Sequence, residues 1–205
     1  MIYLVVGPGR TGSLLLCHLL SSADSSWPGG LANAHMCPTD SREHVYKMLR
    51  RPGVDNLVIH THDPNLVKTL DLPAERIMLV MSKRRDIFRT IMSHQVTYQT
   101  KEWHDYTNQM PVQPVHMPSY EFAGAYYEIK NWYDQIDLNY PFYKVTEIDY
   151  DEILVNFHAT VKERLEITNP GPPGKLKQPS PYNYKDWVSN WDELEKLYHQ
   201  LEKGS

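Results

Sequence analysis

A segment near the start of the chain combines glycines, hydroxyl side chains and one arginine. Residues 7–13 read GPGRTGS, directly after the apolar run IYLVV, and Ser13 also begins the run SLLLCHLLSS. A glycine-rich turn between a buried strand and a helix aims backbone N–H groups and the positive end of the helix dipole at one point. The segment therefore predicts an anion site in which Arg10, Thr11 and Ser13 supply side-chain donors.

Three classes of ligand compete for such a loop. The dinucleotide pattern GxGxxG needs an acidic residue about 20 positions later on a second strand, whereas residues 30–34 read GLANA. The nucleoside-triphosphate pattern GxxxxGK[ST] needs a lysine and then a hydroxyl after its second glycine, but Ser13 and Leu14 follow Gly12. The third class keeps the phosphate-binding backbone and uses the fixed guanidinium of Arg10 in place of magnesium.

A second basic cluster, KRR at 83–85, follows the apolar run RIMLVMS. From Asp86 onward the apolar residues have helical spacing. Arg85 and Ser93 lie eight residues apart, slightly more than two helical turns, so they could converge on one side of the helix start. A guanidinium and a hydroxyl suit a phosphate. The alternative is a solvated basic patch, although positive charge at a helix start opposes the helix dipole.

Two histidines end a third apolar run, NLVIHTH at 56–62. Strand alternation points His60 and His62 to the same face. No cysteine or further histidine has a spacing that would complete a zinc site, so we expect no metal here. A histidine has a pKa near neutrality and can remove a proton from a hydroxyl, but histidines on strands are usually structural.

Together these segments resemble motifs of the sulfotransferase family that uses 3′-phosphoadenosine 5′-phosphosulfate (PAPS). Residues 9–13 resemble its 5′-phosphosulfate loop, with Gly9 where the family usually has proline. Residues 85–93 resemble its 3′-phosphate motif in the RRD form of bacterial members. His62 stands where the family has its catalytic base, and His60 replaces a lysine. Residues 150–153, YDEI, resemble the start of a late helix of the family.

The resemblance implies metal-free, in-line transfer of a sulfuryl group from PAPS to an acceptor hydroxyl or amine, with 3′-phosphoadenosine 5′-phosphate (PAP) as product. His62 would take the acceptor proton, and Arg10 would neutralise charge on the leaving phosphate. Arg85 and Ser93 would bind the 3′-phosphate. The 5′-phosphosulfate would be held by Gly9, Arg10, Thr11, Gly12 and Ser13.

The sequence does not identify the acceptor, and two alternatives stay open. The first is a kinase-like phosphotransferase that needs ATP and magnesium. The second is a non-catalytic module that binds a nucleotide.

The elements that must position these residues alternate between strand and helix patterns. Residues 22–40 are predicted to be a loop. Such alternation predicts an α/β fold of the P-loop type, with three layers and a central, mostly parallel sheet flanked by helices. Ligands of such sheets bind at the carboxyl ends of the strands. Strands are predicted at 2–6, 56–62, 76–82 and 142–148, and helices at 13–22, 41–50, 86–99, 119–136, 151–167 and from 190 onward.

The composition excludes several classes of protein. The 205 residues suit a single domain over 1–205. The formal net charge of −4 gives no general attraction to nucleic acid or an anionic membrane. No apolar run reaches the roughly 20 residues of a membrane span, and the apolar N-terminus lacks the basic start of a signal peptide. Cys17 and Cys37 are too few for a disulfide framework, which indicates a reducing cytoplasm.

Overall fold

The computed structural model divides the chain into two compact units. The first contains Met1–Arg85 and Tyr133–Lys177, and the second contains Asp86–Trp132 and Gln178–Ser205. The first unit holds the described β-sheet, and the described part of the second is mainly helical. The prediction of one domain over 1–205 stays a prediction. The structure describes residues 2–21, 35–39, 41–54, 56–63, 65–100, 114–139, 145–165 and 184–204.

The described sheet of the first unit has five strands in the order β2-β3-β1-β4-β5, and all its pairs are parallel. The central strand β1 pairs Val6 with Thr61 of β3 and with Met81 of β4, so these strands end close to one level. This arrangement confirms the predicted α/β fold with a parallel sheet. The strands are β1 Ile2–Val6, β2 His35–Pro38, β3 Leu57–Thr61, β4 Ile77–Lys83 and β5 Val145–Asp149.

Helices follow the strands as the alternating sequence pattern predicts. β1 and β3 are buried along their whole length, as expected for strands covered on both faces. α1 contributes Leu16, Cys17 and Leu20 to a core that includes Val5 and Val58. None of the described helices is long and apolar enough to cross a membrane. The helices are α1 Ser13–Ser21, α2 Arg42–Leu49, α3 Leu66–Thr69, α4 Ile87–Thr100, α5 Ser119–Asn139, α6 Tyr150–Leu165 and α7 Trp191–Gly204.

One element contradicts the sequence prediction. Residues 22–40 were expected to be a loop, but His35–Pro38 form strand β2 at the edge of the sheet. The strand has only four residues and ends in proline, so it carries neither alternation nor an apolar run. Its parallel pairing with β3 supplies the hydrogen bonds that define it. Proline is tolerated there because an edge strand does not need every backbone donor.

The second unit has an aromatic core of its own. Within this unit, the ring of Phe88 packs edge-on against Trp191, and Val115 forms an isolated parallel bridge with Val188. Ser93 of α4, which was predicted to bind a phosphate, is buried as well. The core includes Phe88, Ile91, Phe122, Tyr126, Trp187 and Leu194.

Candidate anion site

The glycine-rich loop lies at the switch point of the sheet. After β1 the chain continues to β2 on one side of the sheet, whereas β4 and β5 lie on the other side of β1. A crevice at the carboxyl ends of the strands is expected where the direction of the connections reverses, here between β1 and β4. Residues 7–12 connect the end of β1 to α1 at this point. The fold therefore places the loop where parallel sheets bind their ligands.

Two residues of the loop have left-handed backbone conformations. Arg10 has a φ of 69° and Gly12 a φ of 82°. Glycine adopts this conformation without strain, but for arginine it costs about 1–2 kcal/mol. Hydrogen bonds on either side hold it: Thr11 Oγ1 donates to the Pro8 carbonyl at 2.8 Å, and Ser82 Oγ donates to the Thr11 carbonyl at 2.8 Å. Strain held in place by its surroundings is typical of ligand sites.

Two glycines are required because other atoms approach the loop closely. A Cβ on Gly12 would overlap the ring of Tyr150, and a Cβ on Gly7 would lie 2.8 Å from the Ser82 carbonyl oxygen. The Gly12 carbonyl accepts the first hydrogen bond of α1, from the Leu16 N–H at 2.9 Å. The amides that precede Leu16 in the first turn of α1 then have no acceptor inside the helix, which makes them donors for an anion.

His62 contacts the loop directly. Its Nδ1 lies 2.7 Å from the Gly7 carbonyl oxygen. A carbonyl oxygen only accepts hydrogen bonds, so Nδ1 carries the proton and Nε2 is the basic nitrogen of the ring. The side chain is exposed. The structure thus places the predicted base beside the predicted anion loop, in the tautomer that a proton acceptor needs.

His60 contacts the other end of the loop. Its Nε2 lies 2.9 Å from Ser13 Oγ, and both side chains are buried, with exposed fractions of 9% and 3%. The rings of His60 and His62 meet edge to face, with centroids 4.7 Å apart. The two histidines therefore point to the same side of β3, as strand alternation predicts.

The three cations of the basic run have three different sets of partners. Lys83 Nζ pairs with Glu147 at 3.2 Å. Arg84 Nη1 donates to the Arg10 carbonyl at 3.4 Å, and the guanidinium lies 5.0 Å from the centroid of the Tyr150 ring. Its Nε is buried without a hydrogen-bond partner among the described residues. Such a donor costs about 1–3 kcal/mol when unsatisfied, so Arg84 fits an anionic ligand whose oxygen accepts from Nε.

Arg85 contacts an acidic pair. Its Nε lies 2.9 Å from Asp149 Oδ2, and its Nη2 lies 2.9 Å from Glu152 Oε1. The sequence predicted that the Arg85 guanidinium would be available to a phosphate. In the structure it is paired with two carboxylates instead. The Arg85 side chain is 75% exposed, but the Asp149 side chain is only 8% exposed. A phosphate at Arg85 would have to replace a pair whose carboxylate is buried, and a buried charge that loses its partner is destabilising. The predicted contact of Arg85 with a 3′-phosphate therefore stays a prediction.

Ser93 lies in the second unit, and its side chain is 2% exposed. Its Oγ accepts a hydrogen bond from the Tyr184 hydroxyl at 3.1 Å. Arg85 ends the first unit, so the predicted sharing of one phosphate by Arg85 and Ser93 stays a prediction.

The structure brings the predicted loop residues together with three side chains that the sequence analysis did not assign to this site: Ser82, Arg84 and Tyr150. Each of them lies in or just after the last residues of a strand. That position was the available signal, because strand ends were expected to form the site. Among the described residues, no group of three or more His, Cys, Asp or Glu side chains could hold a metal ion.

Comparison with known proteins gives no family. No protein-family model matches this chain, and no curated protein matches it. The likeness to sulfotransferases therefore rests on the short sequence motifs alone.

Proposed function

We propose that this protein transfers a sulfuryl group from PAPS to an acceptor hydroxyl or amine. The observation that carries the proposal is the contact of His62 Nδ1 with the Gly7 carbonyl, 2.7 Å. It fixes a basic nitrogen next to a loop with the features of an anion site. A module that only binds a nucleotide needs the loop but has no use for such a base.

Several features support sulfuryl transfer over phosphoryl transfer. The loop has Ser13 and Leu14 where a kinase-like loop has its lysine and its magnesium-binding hydroxyl. The positive charge of the proposed site comes from the guanidinium groups of Arg10 and Arg84, whose donors are held in a planar fork. A sulfuryl group carries less negative charge than a phosphoryl group, so fixed donors of this kind can stabilise its transfer.

Bound PAPS supplies an activated sulfuryl group on a 5′-phosphate leaving group. In the proposed reaction, His62 Nε2 takes the proton of the acceptor hydroxyl while the acceptor oxygen bonds to sulfur. The bond between sulfur and the bridging phosphate oxygen breaks on the opposite side, which releases PAP. Arg10 and Arg84 stabilise the charge that develops on the leaving phosphate. The amides of residues 9–13, with the Ser13 hydroxyl, hold the phosphosulfate in line. The Thr11 hydroxyl, predicted as a further donor to the ligand, instead donates to the Pro8 carbonyl and holds the loop.

The other end of the nucleotide is assigned to Arg85. In this proposal its guanidinium exchanges Asp149 and Glu152 for the 3′-phosphate of PAPS. The same cysteine usage that indicated a reducing compartment makes the cytoplasm the proposed location. The acceptor is proposed only by class, as a hydroxyl or amine.

The activity is tested with PAPS labelled with ³⁵S and a panel of sugar, phenol, lipid-alcohol and peptide-tyrosine acceptors. We expect labelled product from at least one class without added metal. His62→Ala should lower kcat by about 100-fold or more while the affinity for PAP is retained. His44→Ala, on the exposed N-terminal turn of α2, is the matched control. PAP binding without transfer to any acceptor would contradict the activity and leave a binding module.

A further inference from the structure

Ser13 has one hydroxyl proton and two possible acceptors for it. The first is His60 Nε2, 2.9 Å away in a buried pair. The second is the anion that the loop is proposed to hold, because Ser13 is the first residue of α1. A hydroxyl offers one donor and two acceptor lone pairs. If Ser13 donates to His60, it turns only lone pairs toward the anion, and these repel it.

We infer that His60 is a positioning residue that donates its Nε2 proton to Ser13 and so directs the Ser13 proton to the bound anion. The inference rests on the proposed function and adds a residue to it, since His60 acts through Ser13 and not on the sulfuryl group. In the complex the donors run from His60 Nε2–H to Ser13 Oγ, and from Ser13 Oγ–H to an oxygen of the phosphosulfate.

The buried position of the pair makes the direction of this hydrogen bond important. Ser13 is 3% exposed and His60 9% exposed, so water competes little for the hydroxyl. At low local dielectric, linked hydrogen bonds strengthen one another, and a hydroxyl that accepts from His60 becomes a better donor to the anion. A wrongly directed proton would leave an unsatisfied anion oxygen, which is costly in the same environment.

His60, in β3, and His62, just after the end of β3, then carry opposite tautomers. His62 holds its proton on Nδ1, against the Gly7 carbonyl, and presents Nε2 as the base. His60 holds a proton on Nε2 and presents it to Ser13. Their rings meet edge to face. Of these two neighbouring imidazoles, His62 would act as the proton acceptor and His60 as a fixed donor.

The tautomer of His60 can be measured directly. In protein labelled with ¹⁵N at histidine, long-range ¹H–¹⁵N spectra report which ring nitrogen carries a proton. The His60 signals are assigned by their loss in His60→Gln. With PAP bound, we expect a proton on His60 Nε2. An unprotonated Nε2 in the PAP complex would overturn the inference.

A double-mutant cycle tests whether His60 acts through Ser13. We expect Ser13→Ala and His60→Leu each to weaken PAP binding by about 3- to 10-fold, the loss of one neutral hydrogen bond. The double variant should bind PAP with the same affinity as whichever of the two single variants has the lower affinity for PAP. His60→Gln, whose amide N–H replaces the Nε2 donor, should largely restore affinity.

The outcomes separate this inference from the proposed function. If the wild-type protein binds PAP but the two losses multiply, or if neither single variant changes affinity, His60 does not act through Ser13 and the inference fails alone. If the wild-type protein does not bind PAP, the proposed function and the inference fail together.

Discussion

The guanidinium of Arg84 lies over the ring of Tyr150, 5.0 Å from the ring centroid, and the same ring occupies the space that a Cβ of Gly12 would need. Cation–π contact with a tyrosine contributes about 0.5–1 kcal/mol at exposed sites and more when desolvated. Tyr150 thus connects the loop after β1 to the arginine after β4, and it fixes the direction in which Arg84 presents its donors.

We predict that the two neighbouring arginines bind different parts of the nucleotide. Arg84→Ala should weaken binding of both PAPS and adenosine 5′-phosphosulfate, which lacks the 3′-phosphate, by about 1.5–3 kcal/mol. Arg85→Ala should weaken binding of PAPS only, because it is assigned to the 3′-phosphate. Isothermal calorimetry measures both. Arg164→Ala, which removes a half-exposed arginine that also faces Glu152, is the control, and an unchanged affinity in Arg84→Ala would remove that residue from the site.

We predict that position 12 requires glycine because of close packing as well as because of its backbone conformation. Gly12→Ala should destabilise the fold by about 1–3 kcal/mol more than Gly53→Ala, the usual cost of overpacking. Gly53 is the matched control because its φ is 78°, close to the 82° of Gly12, and its Cβ position is open. Urea unfolding measures the difference. Equal losses in the two variants would show that Tyr150 does not restrict this position.

We predict an alkaline loss of stability that depends on Tyr133. Burial raises the pKa of Tyr133 to about 12, and its hydroxyl oxygen accepts a hydrogen bond from the Arg84 N–H at 3.3 Å. A folded-state pKa above the ordinary value of about 10 gives stability that is complete below pH 10 and lost as the pH rises toward 12. The full change in the free energy of unfolding is about 2–3 kcal/mol.

Urea unfolding between pH 9 and about 12 tests this alkaline effect. Tyr133→Phe should flatten the decrease in stability because it has no phenol to ionise. The exposed Tyr127 provides the control variant Tyr127→Phe, which should keep the wild-type slope. The same slope in Tyr133→Phe as in the wild type would assign the alkaline loss to other groups.

The sequence predicted the sheet well because its long strands are buried on both faces. Runs such as IYLVV at 2–6 contain little else than apolar β-formers, and turn residues mark their ends. β2 escaped prediction because a four-residue edge strand is defined by its partner β3 and not by its own composition. The fold class therefore followed from the local sequence pattern. The number of described strands did not, because the pattern gave no sign of β2.

The sequence predicted where the site lies in the fold, but it did not predict which side chains contact one another there. Parallel strands end at one edge, so loop 7–13, His62 and the basic run were expected near one another. The choice between Arg84 and Arg85 depends on Tyr150 and Asp149, which lie more than 60 residues away in sequence and could not be assigned by spacing. The contact of His62 with Gly7 likewise requires that β3 lie next to β1.

Binding of PAP in the presence of EDTA, measured by isothermal calorimetry against ATP with magnesium, tests the central claim most directly. The proposed site, with the loop, Arg10, Arg84 and Arg85, should bind PAP without metal and should bind it more tightly than ATP with magnesium. No binding of PAP, or binding of ATP only when magnesium is present, would contradict the proposed sulfuryl transfer.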